Sequence, residues 1–438
     1  MNNTYFMLWI LFECLFYIQF RYSKNKLQRI NKPATLLTKQ ERMTLFHDCL
    51  SSVKNIKTWA EGWFYRKDYT HPSFQEIKRD NIALWLAWAF WHDELHIVRQ
   101  NKEIGNEIDW MIRTIEDYFH IKVQEGYNPD LRCVRLDLDP VQTIHRPLIV
   151  YLAIYICTYF FNLVFLQTLW GFTLTTDQNM WGGAFALLDG VWNHTEKRSK
   201  HISYWSRLRK NDKVPIVFIH GLGAGLMCYA EFLHQLLLAE DRSVFLIELP
   251  YVSMRLVDHV PNAVEAVEGI KEMLHSSGYH QAVFVSHSMG TGISSWVSKY
   301  ASDLIAGSVM IDPICFLLHH HHVAFNFMHK LPQGWMDYLL RYVVARELYI
   351  SHFISRHIKW YEMIHFGHQL KNTSIFLSER DRIIGSLLVH SFLSSKTPDV
   401  HIMPTLEHAQ FLVNSKWKSL ILEHIHKISR KADFNKLH

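Results

Sequence analysis

Residues 283–292 read VFVSHSMGTG, and this stretch decides the fold. A short apolar run stops at Ser288, and the small residues Ser286 and Gly290 stand two positions before and after it. A strand that turns within one residue into a helix needs small neighbours, because the tight turn presses backbone atoms together. Such a turn holds its central side chain exposed in a strained conformation, which is how a nucleophilic serine is presented. The stretch therefore predicts a strand, a tight turn at Ser288 and then a helix. The alternative is a turn of small residues that has no catalytic role.

The second half of the chain alternates short β-rich apolar runs with helical stretches. Continuous apolar strands that alternate with helices are typical of a parallel sheet covered on both faces. In such sheets ligands bind at the carboxyl ends of the strands. The predicted strands are 214–220, 243–249, 281–285, 306–312, 373–378 and 399–403. The predicted helices are 231–239, 262–275, 292–300, 384–393 and 410–427.

A glycine-rich loop, HGLGAG, follows the first of these runs and begins at His220 and Gly221. Its glycines let the backbone turn amide groups toward a site. Acyl transfer needs two N–H donors for the developing oxyanion, one of them from the residue after the nucleophile. The backbone N–H groups of Leu222 and Met289 fill these positions. A phosphate-binding loop is disfavoured, because no Lys-Ser/Thr pair follows and the G-x-G-x-x-G spacing is absent.

An acid and a histidine follow two later strands. Asp381 comes directly after the run 373–378, where a carboxylate can orient a histidine and stabilise its charged form. Asp312, at the end of another run, is the competing acid. A third alternative pairs Asp381 with a neighbouring arginine on a solvated loop. His408 follows the last strand and is placed to accept the proton of Ser288.

The order Ser288, Asp381, His408, with an HG loop upstream, resembles the α/β-hydrolase superfamily over about residues 200–430. The resemblance implies an eight-stranded, mostly parallel sheet with helices on both faces and a helical cap after the sixth strand, at about 313–370. The serine at position 286 departs from the family's G-x-S-x-G pattern, although it is still small. With its long N-terminal region and the stretch DPICFLLH, the whole chain resembles membrane-associated fungal members of the superfamily.

Composition excludes some classes of partner. The 438 residues are 49% hydrophobic and 20% charged, which is enough apolar material for a sizeable core. A net charge of +5 without a Lys/Arg-rich block argues against nucleic acid and suits a membrane surface. None of the six cysteines has C-x-x-C spacing, so we expect free thiols, no metal site and a reducing compartment. No cofactor is expected.

Two apolar segments predict that the protein associates with a membrane. Residues 5–20 are almost entirely apolar and precede a basic flank, which favours an uncleaved membrane anchor. The alternative is a helix that lies on the membrane surface, because about 20 residues are needed to span a bilayer. Residues 147–172 carry no charge and are long enough to cross; a buried hairpin is the alternative. The basic residues after both segments favour the cytosolic side, so one segment is expected to embed without crossing. These residues are Arg21, Lys24, Lys26, Arg29 and Lys32, and Lys197, Arg198, Lys200, Arg207, Arg209, Lys210 and Lys213.

These segments divide the chain into four parts. We predict an anchor with its basic flank (1–34), a helical region (35–145), a membrane-embedded or transmembrane segment (146–176) and an α/β-hydrolase domain that contains the cap (177–438). An intracellular membrane, either the endoplasmic reticulum or a lipid droplet, is the expected location.

Two histidine-rich stretches could suggest metal sites. The group His92-Asp93-Glu94 with His96 lacks a familiar ligand spacing, so we interpret it as a solvated helix end. Four consecutive histidines, His319 to His322, cannot all point at one ion on a helix, so we assign them to the cap or its rim. An amphipathic helix over residues 104–119 is expected to pack on another element without a role in chemistry.

The sequence hypothesis is a membrane-associated serine hydrolase acting on an ester, thioester or lipid acyl bond. Ser288 would attack, His408 would carry the proton, and Asp381 would hold the histidine. An acyltransferase using the same residues is the first alternative, although no H-x4-D signature appears. A non-catalytic membrane-bound module, and a cofactor-free haloperoxidase or C–C hydrolase, are the others.

Overall fold

The computed structural model describes residues 2–30, 36–176, 180–183, 185–187, 201–367, 370, 372–397 and 399–437. A two-stranded antiparallel ribbon, β1 (Phe64–Tyr65) and β2 (Arg132–Cys133), belongs to the N-terminal half. The main sheet has eight strands, β3 (Thr173–Thr175), β4 (Ser203–Arg207), β5 (Ile216–Ile219), β6 (Val244–Glu248), β7 (Ala282–His287), β8 (Ile305–Ile311), β9 (Thr373–Ser378) and β10 (Val400–Met403).

The sheet has the spatial order β10-β9-β8-β7-β5-β6-β4-β3. Its neighbours are parallel except for the pairs β3–β4 and β4–β6, so the mostly parallel sheet expected from the sequence is confirmed. All residues of β5, β6, β7 and β9 are buried, which explains their unbroken apolar character. The helices around the sheet are Ala230–Ala239, Ala263–Ser276, Met289–Tyr300, Ser386–Leu393 and Ser415–Leu437.

The sequence prediction missed β3 and β4. These strands are antiparallel at one side of the sheet, and β3 has only three residues. Because β3 begins at Thr173, the sheet starts before residue 177, inside the stretch that the sequence assigned to the membrane segment. The predicted last helix over 410–427 is also different: a 3₁₀ turn, Gln410–Val413, precedes a separate helix that begins at Ser415.

The segment between β8 and β9 is helical, as expected of a cap. Its α-helices are His322–Met328, Trp335–Leu339, Leu348–Arg356 and Trp360–Met363, and a π-helical turn spans Leu340–Ala345. The N-terminal region packs against it with the helices Lys39–Ser52, Ile56–Trp63, Arg79–Trp91, Leu95–Val98 and Lys102–Phe119. Helix 102–119 confirms the amphipathic helix predicted there, with Ile108, Met111 and Ile112 buried.

The four consecutive histidines, assigned from the sequence to the cap or its rim, lie in the cap where it contacts the N-terminal helices. His319 and His320 are buried. The carbonyl oxygen of His319 accepts hydrogen bonds from the indole nitrogens of Trp59 (2.7 Å) and Trp63 (3.0 Å). The stretch therefore joins the cap to the N-terminal helices.

Two apolar helices lie side by side on the outside of the molecule. The N-terminal helix, Asn2–Leu27, places Phe16 against Tyr151 with ring centroids 5.4 Å apart. By length and composition, the helix Leu148–Leu169 could cross a membrane, with 22 residues and a mean hydropathy of 2.1; among the described residues no other helix meets that test. Its second part is π-helical. Four of the basic residues used above to predict membrane topology lie outside the described residues: Lys32, Lys197, Arg198 and Lys200.

Candidate active site

Ser288 stands between β7 and the helix Met289–Tyr300, with φ 51° and ψ −121°. A non-glycine residue in such a conformation costs about 1–3 kcal/mol and persists only where its surroundings enforce it. The turn brings Gly290 so close to β5 that an added Cβ would lie 2.3 Å from the carbonyl oxygen of Ile219. Ser286 is fully buried, and its hydroxyl has no hydrogen-bond partner among the described residues. The site thus accommodates serine where the common pattern has glycine.

The structure brings Ser288, His408 and Asp381 into one hydrogen-bonded chain. The Ser288 Oγ lies 2.8 Å from Nε2 of His408, and Nδ1 of His408 lies 2.6 Å from Oδ2 of Asp381. The other carboxylate oxygen of Asp381 accepts from the backbone N–H groups of Ile383 (2.7 Å) and Ile384 (2.9 Å). The loop after β9 therefore orients the acid, and the acid orients the histidine.

The electrostatics of the histidine favour its charged form. Burial lowers the pKa of His408, but the carboxylates of Asp381 and Asp312 raise it by more, so its pKa lies above the ordinary value of 6.5. A histidine that accepts a serine proton must be stabilised as imidazolium at that moment. The two carboxylates supply this stabilisation.

Asp312, the competing acid, is also at the site but makes different contacts. Its ligand atoms lie within 4.8 Å of those of Asp381 and His408. However, Oδ1 accepts from the N–H of Ser378 (2.7 Å), and Oδ2 accepts from the Ser378 hydroxyl (3.0 Å) and the N–H of Ala409 (3.0 Å). Burial and the nearby Asp381 raise the pKa of Asp312 to about 6. Asp312 thus ties β9 to the loop that carries His408, while Asp381 holds the imidazole itself.

The glycine-rich loop lies directly against the serine. A Cβ added to Gly221 would stand 2.9 Å from the Cβ of Ser288, so a side chain there would collide with that serine. The Gly221 N–H donates to Tyr229 Oη (2.9 Å), and the Gly223 N–H donates to the carbonyl of Val252 (3.2 Å). Leu222, between them, lines the same cavity as Met289 and Ser288. Both residues predicted as oxyanion donors therefore adjoin the serine.

Two histidines hold the glycine-rich loop in place, one directly and one through Tyr229. The buried His220 donates from Nδ1 to the Gly221 carbonyl (2.7 Å) and accepts at Nε2 from the Leu249 N–H (3.0 Å), which defines its neutral tautomer. Burial lowers the pKa of His220, in agreement with that state. Tyr229 Oη, which accepts from Gly221, forms a hydrogen bond with Nδ1 of His287 (2.7 Å). Sequence reasoning missed Tyr229 and His287; the position of His287 just before Ser288 was the available signal.

A cavity of about 70 Å³ opens beside the serine. This is several times the roughly 10–15 Å³ that one water needs. Its walls come from three parts of the chain: the strand ends, the cap and the N-terminal helical region. The cap contributes Ile314, Leu318, Val323, Phe327, Met328, Ile354, Ile358 and Trp360, and the N-terminal region contributes Trp63, Trp88, His92, Leu136 and Asp137. The N-terminal helices, for which the sequence indicated no chemistry, therefore shape the site.

The interpretation of the His92 group as a solvated helix end is wrong for His92 itself. Its side chain is 4% exposed, and Nδ1 forms a hydrogen bond with Asp137. The helix Arg79–Trp91 ends there because His92 takes a left-handed backbone conformation. That bend turns the ring inward, whereas His96 remains on the surface.

Besides the serine site, one cluster in the described part of the chain offers three metal-ligating groups. Ligand atoms of Asp399, His401 and His424 lie within 4.8 Å of one another. His401 Nε2 is bonded to Asp399 (2.7 Å), and His424 Nδ1 lies 2.9 Å from the hydroxyl of Ser374. Ser374 is near the start of β9, whereas the serine site lies at the end of that strand. A metal held there would be remote from Ser288.

The sheet order, the strained serine and the acid and histidine after the last two strands define an α/β-hydrolase fold. Residues 216–407 match the model of the "Alpha/beta hydrolase family", which covers β5 through the residue before His408. No curated protein matches the chain.

Similar solved structures cover about half of the chain. A membrane phospholipase A, described as a bacterial virulence factor, is 15% identical, with 51% of this chain and 83% of that chain covered and a TM-score of 0.37. A thermophilic esterase from Thermogutta terrifontis is 11% identical (52% and 95% covered, TM-score 0.39). A monoacylglycerol lipase from Paleococcus ferrophilus is 15% identical (50% and 94% covered, TM-score 0.36).

Proposed function

We propose that this protein is a membrane-associated serine hydrolase that cleaves an ester, thioester or lipid acyl bond. One observation carries the proposal: Ser288 Oγ, His408 and Asp381 form a continuous hydrogen-bonded chain at the carboxyl ends of β7, β9 and β10. The three residues lie far apart in the sequence. Their arrangement is the one in which a histidine, oriented by an acid, activates a serine for nucleophilic attack.

The geometry implies the following steps. Ser288 Oγ attacks the carbonyl carbon while His408 Nε2 takes its proton, and Asp381 stabilises the imidazolium. The backbone N–H groups of Leu222 and Met289 donate to the oxyanion of the tetrahedral intermediate. The bond to the leaving group then breaks as His408 returns the proton to it. Water, deprotonated by His408, attacks the acyl-serine, and the acid is released with Ser288 restored.

The walls of the cavity support an apolar substrate. Its lining is dominated by aliphatic and aromatic side chains, including Phe327, Trp360 and Leu318. Burial of each CH₂ group of an acyl or alkyl chain against such a surface contributes about 0.8 kcal/mol to binding. The cavity is therefore suited to part of a lipid or another apolar ester.

Exposure of apolar surface supports membrane association. Ten large apolar side chains between Tyr5 and Ile18 are at least 45% exposed, and only 22% of the most apolar window of the helix Leu148–Leu169 is buried. Soluble proteins rarely expose a contiguous apolar surface of this extent. The start of the second helix is also tied to the body of the protein, because Tyr151 donates to the buried Glu347 (2.8 Å). A bilayer that received both helices would hold the hydrolase domain close to its surface.

Labelling with a fluorophosphonate tests the catalytic proposal. The full chain should be labelled, Ser288→Ala should not be, and the exposed control Ser51→Ala should match the wild type. Robust labelling of Ser288→Ala would overturn the assignment. Analysis of products formed with an added alcohol then distinguishes hydrolysis from acyl transfer.

Flotation with phosphatidylcholine–phosphatidylserine vesicles, followed by an alkaline carbonate wash, tests the membrane proposal. We expect the full chain to float and to resist the wash. A protein that stays in the dense fraction without detergent would refute membrane association while leaving the serine mechanism intact.

A further inference from the structure

The helix Leu148–Leu169 joins two regions that fold as one body. The N-terminal helical region precedes it and the sheet with its cap follows it, yet their buried side chains form one hydrophobic core. The indole nitrogen of Trp360, in the cap, donates to the carbonyl oxygen of Ala89 (2.9 Å). Trp63 and Ser288, one from each region, line the same cavity. A helix that crossed a bilayer once would place the two regions on opposite sides, so a single crossing is incompatible with their shared core.

The helix also lies along this body over its length. The buried side chains of its inward face are Tyr151, Tyr155, Thr158, Phe161 and Leu166. Near its start, Tyr151 Oη donates to Glu347 of the cap (2.8 Å). Just after its end, the ring of Trp170 stacks on that of His234, with centroids 6.0 Å apart. Both ends are therefore held on the same side of the protein.

The outward face of this helix is apolar. A helix that packs on a protein surface in water normally presents a polar outward face. No charged residue lies between Leu148 and Leu169. The exposed large side chains of the helix are Ile149, Ile156, Phe160, Leu163 and Leu169. Such a face fits the boundary between the headgroups and the acyl chains of a bilayer, where a helix can lie in the plane of the membrane.

The cap presents a second apolar face, which we call the cap stripe. Its exposed side chains recur at helical spacing: Trp335, Tyr338, Leu339, Tyr342 and Val343. Trp335 is 72% exposed, whereas Asp337 on the same helix is buried and pairs with Arg382 (2.9 Å). Exposed apolar groups with a buried charge are the reverse of a helix that faces water. Tryptophan and tyrosine are the side chains enriched at membrane–water interfaces.

The cap stripe adjoins both the helix and the cavity. Arg146, two residues before the helix, donates from Nη2 to the carbonyl oxygen of Val343 (3.0 Å) and from Nη1 to that of Arg346 (3.1 Å). The stripe therefore ends beside the start of the helix. Arg346 Nη2 in turn donates to the carbonyl oxygen of Met328 (2.8 Å), whose side chain lines the cavity. A bilayer against the stripe would lie next to the cap segment that lines the site.

We propose that the outward face of the helix Leu148–Leu169 and the cap stripe form one membrane-binding surface. Both lie at the headgroup–acyl boundary of a single leaflet, and the chain before and after the helix stays on one side of the bilayer. The occupant is lipid rather than a second copy of the chain, because the helix has the mean hydropathy of a membrane segment (2.1) and the stripe is rich in interfacial aromatic residues. The inference rests on the proposed membrane association and names the surface and the topology that it uses.

The depth of Cys157 tests the orientation of the helix. This native thiol is exposed near the middle of the helix, and Cys14→Ser with Cys228→Ser removes the other exposed thiols. A nitrobenzoxadiazole probe on Cys157 is read in phosphatidylcholine–phosphatidylserine vesicles whose phosphatidylcholine is brominated near the headgroup end or near the methyl end of its acyl chains. We expect the headgroup-end bromines to quench the probe more strongly. Stronger quenching by the methyl-end bromines would place Cys157 at the bilayer centre and overturn the in-plane orientation.

The same probe at Tyr338→Cys, with Cys157→Ser added, tests the cap stripe. We expect the same depth preference. The matched control is Asp241→Cys, beside the polar residues Arg209 and Asn211, and its probe should not be quenched. An unquenched probe at Tyr338→Cys, or equal quenching at Asp241→Cys, would overturn the stripe. Bismaleimide crosslinking of two copies through Tyr338→Cys without quenching would identify a second copy as the occupant and also overturn it. If Tyr338→Cys fails to fold by circular dichroism, Trp335→Cys replaces it.

Reporters on the two sides of the helix test the topology. Glu125→Cys lies before the helix and Asp241→Cys after it, and both native side chains are more than three-quarters exposed. In sealed microsomes that contain the full chain, a membrane-impermeant maleimide should modify both reporters or neither. Modification of one reporter with protection of the other would show a single crossing and refute the inference.

These readouts separate the inference from the proposed function. A full chain that fails to float with vesicles refutes membrane association and this surface together. A chain that floats but shows a deep Cys157, an unquenched stripe or reporters on opposite sides refutes the surface alone. Fluorophosphonate labelling of Ser288 reports on the serine mechanism independently of all three results.

Discussion

Replacement of Asp381 by asparagine separates the roles of the two acids at the site. The Asp381 carboxylate is fully buried and lies 2.6 Å from His408 Nδ1. Charges centred about 4 Å apart at an effective dielectric constant of about 20 interact by about 4 kcal/mol. Loss of this stabilisation of the imidazolium should slow reaction at Ser288 by about a thousandfold. Asp312 should not compensate, because its oxygens are engaged by Ser378 and Ala409.

The assay is the second-order rate constant for fluorophosphonate labelling, measured for Asp381→Asn and for Asp312→Asn as the matched variant. We expect Asp312→Asn to reduce the rate much less, by about tenfold, since it leaves the bond between Asp381 and His408 in place. Thermal unfolding controls for the loss of the Asp312 anchor. A rate within tenfold of wild type for Asp381→Asn, together with a thousandfold loss for Asp312→Asn, would refute the assignment and identify Asp312 as the acid.

Three further predictions concern the same site. Gly221→Ala should reduce the labelling rate by about a hundredfold and also lower the melting temperature, because the new Cβ meets Ser288 Cβ at 2.9 Å; an unchanged rate would contradict the loop's position. Gly290→Ala should lower the unfolding free energy by about 1–3 kcal/mol in denaturant titration, since its Cβ would approach the Ile219 carbonyl to 2.3 Å. The pKa of His408 is raised and only its neutral form accepts a proton, so the labelling rate should increase with pH through a value above 6.5. In Asp381→Asn that increase should move to lower pH, and a pH-independent rate in the wild type would exclude His408 as the base.

The turn at Ser288, the glycine loop and six of the eight sheet strands were predictable from local patterns. Small residues around Ser288 are required within a few positions of it, because the turn itself crowds the backbone. Buried strands produce contiguous apolar runs, so β5 to β10 stand out in the sequence, whereas the short antiparallel β3 and β4 do not. The positions of Asp381 and His408 after their strands followed from the rule that parallel strands present their carboxyl ends at one edge.

The choice between the two acids depended on the folded chain. Asp312 and Asp381 both follow strands, and no local pattern tells which one faces the imidazole. The distinction arises because the loop after β9 places Asp381 in hydrogen-bond contact with His408. The carboxylate oxygens of Asp312 instead accept hydrogen bonds from Ser378 and Ala409.

The sequence alone specified the turn at Ser288 and most of the sheet, since these depend on steric and hydrophobic rules that act within a few residues. The cavity required the three-dimensional structure. His92 appeared to be a solvated helix end until the fold paired it with Asp137, 45 residues away, and with the more distant Lys359. Hydrogen bonds and burial between distant segments leave no periodic trace in a sequence, so the N-terminal wall of the site emerged only when the chain was folded.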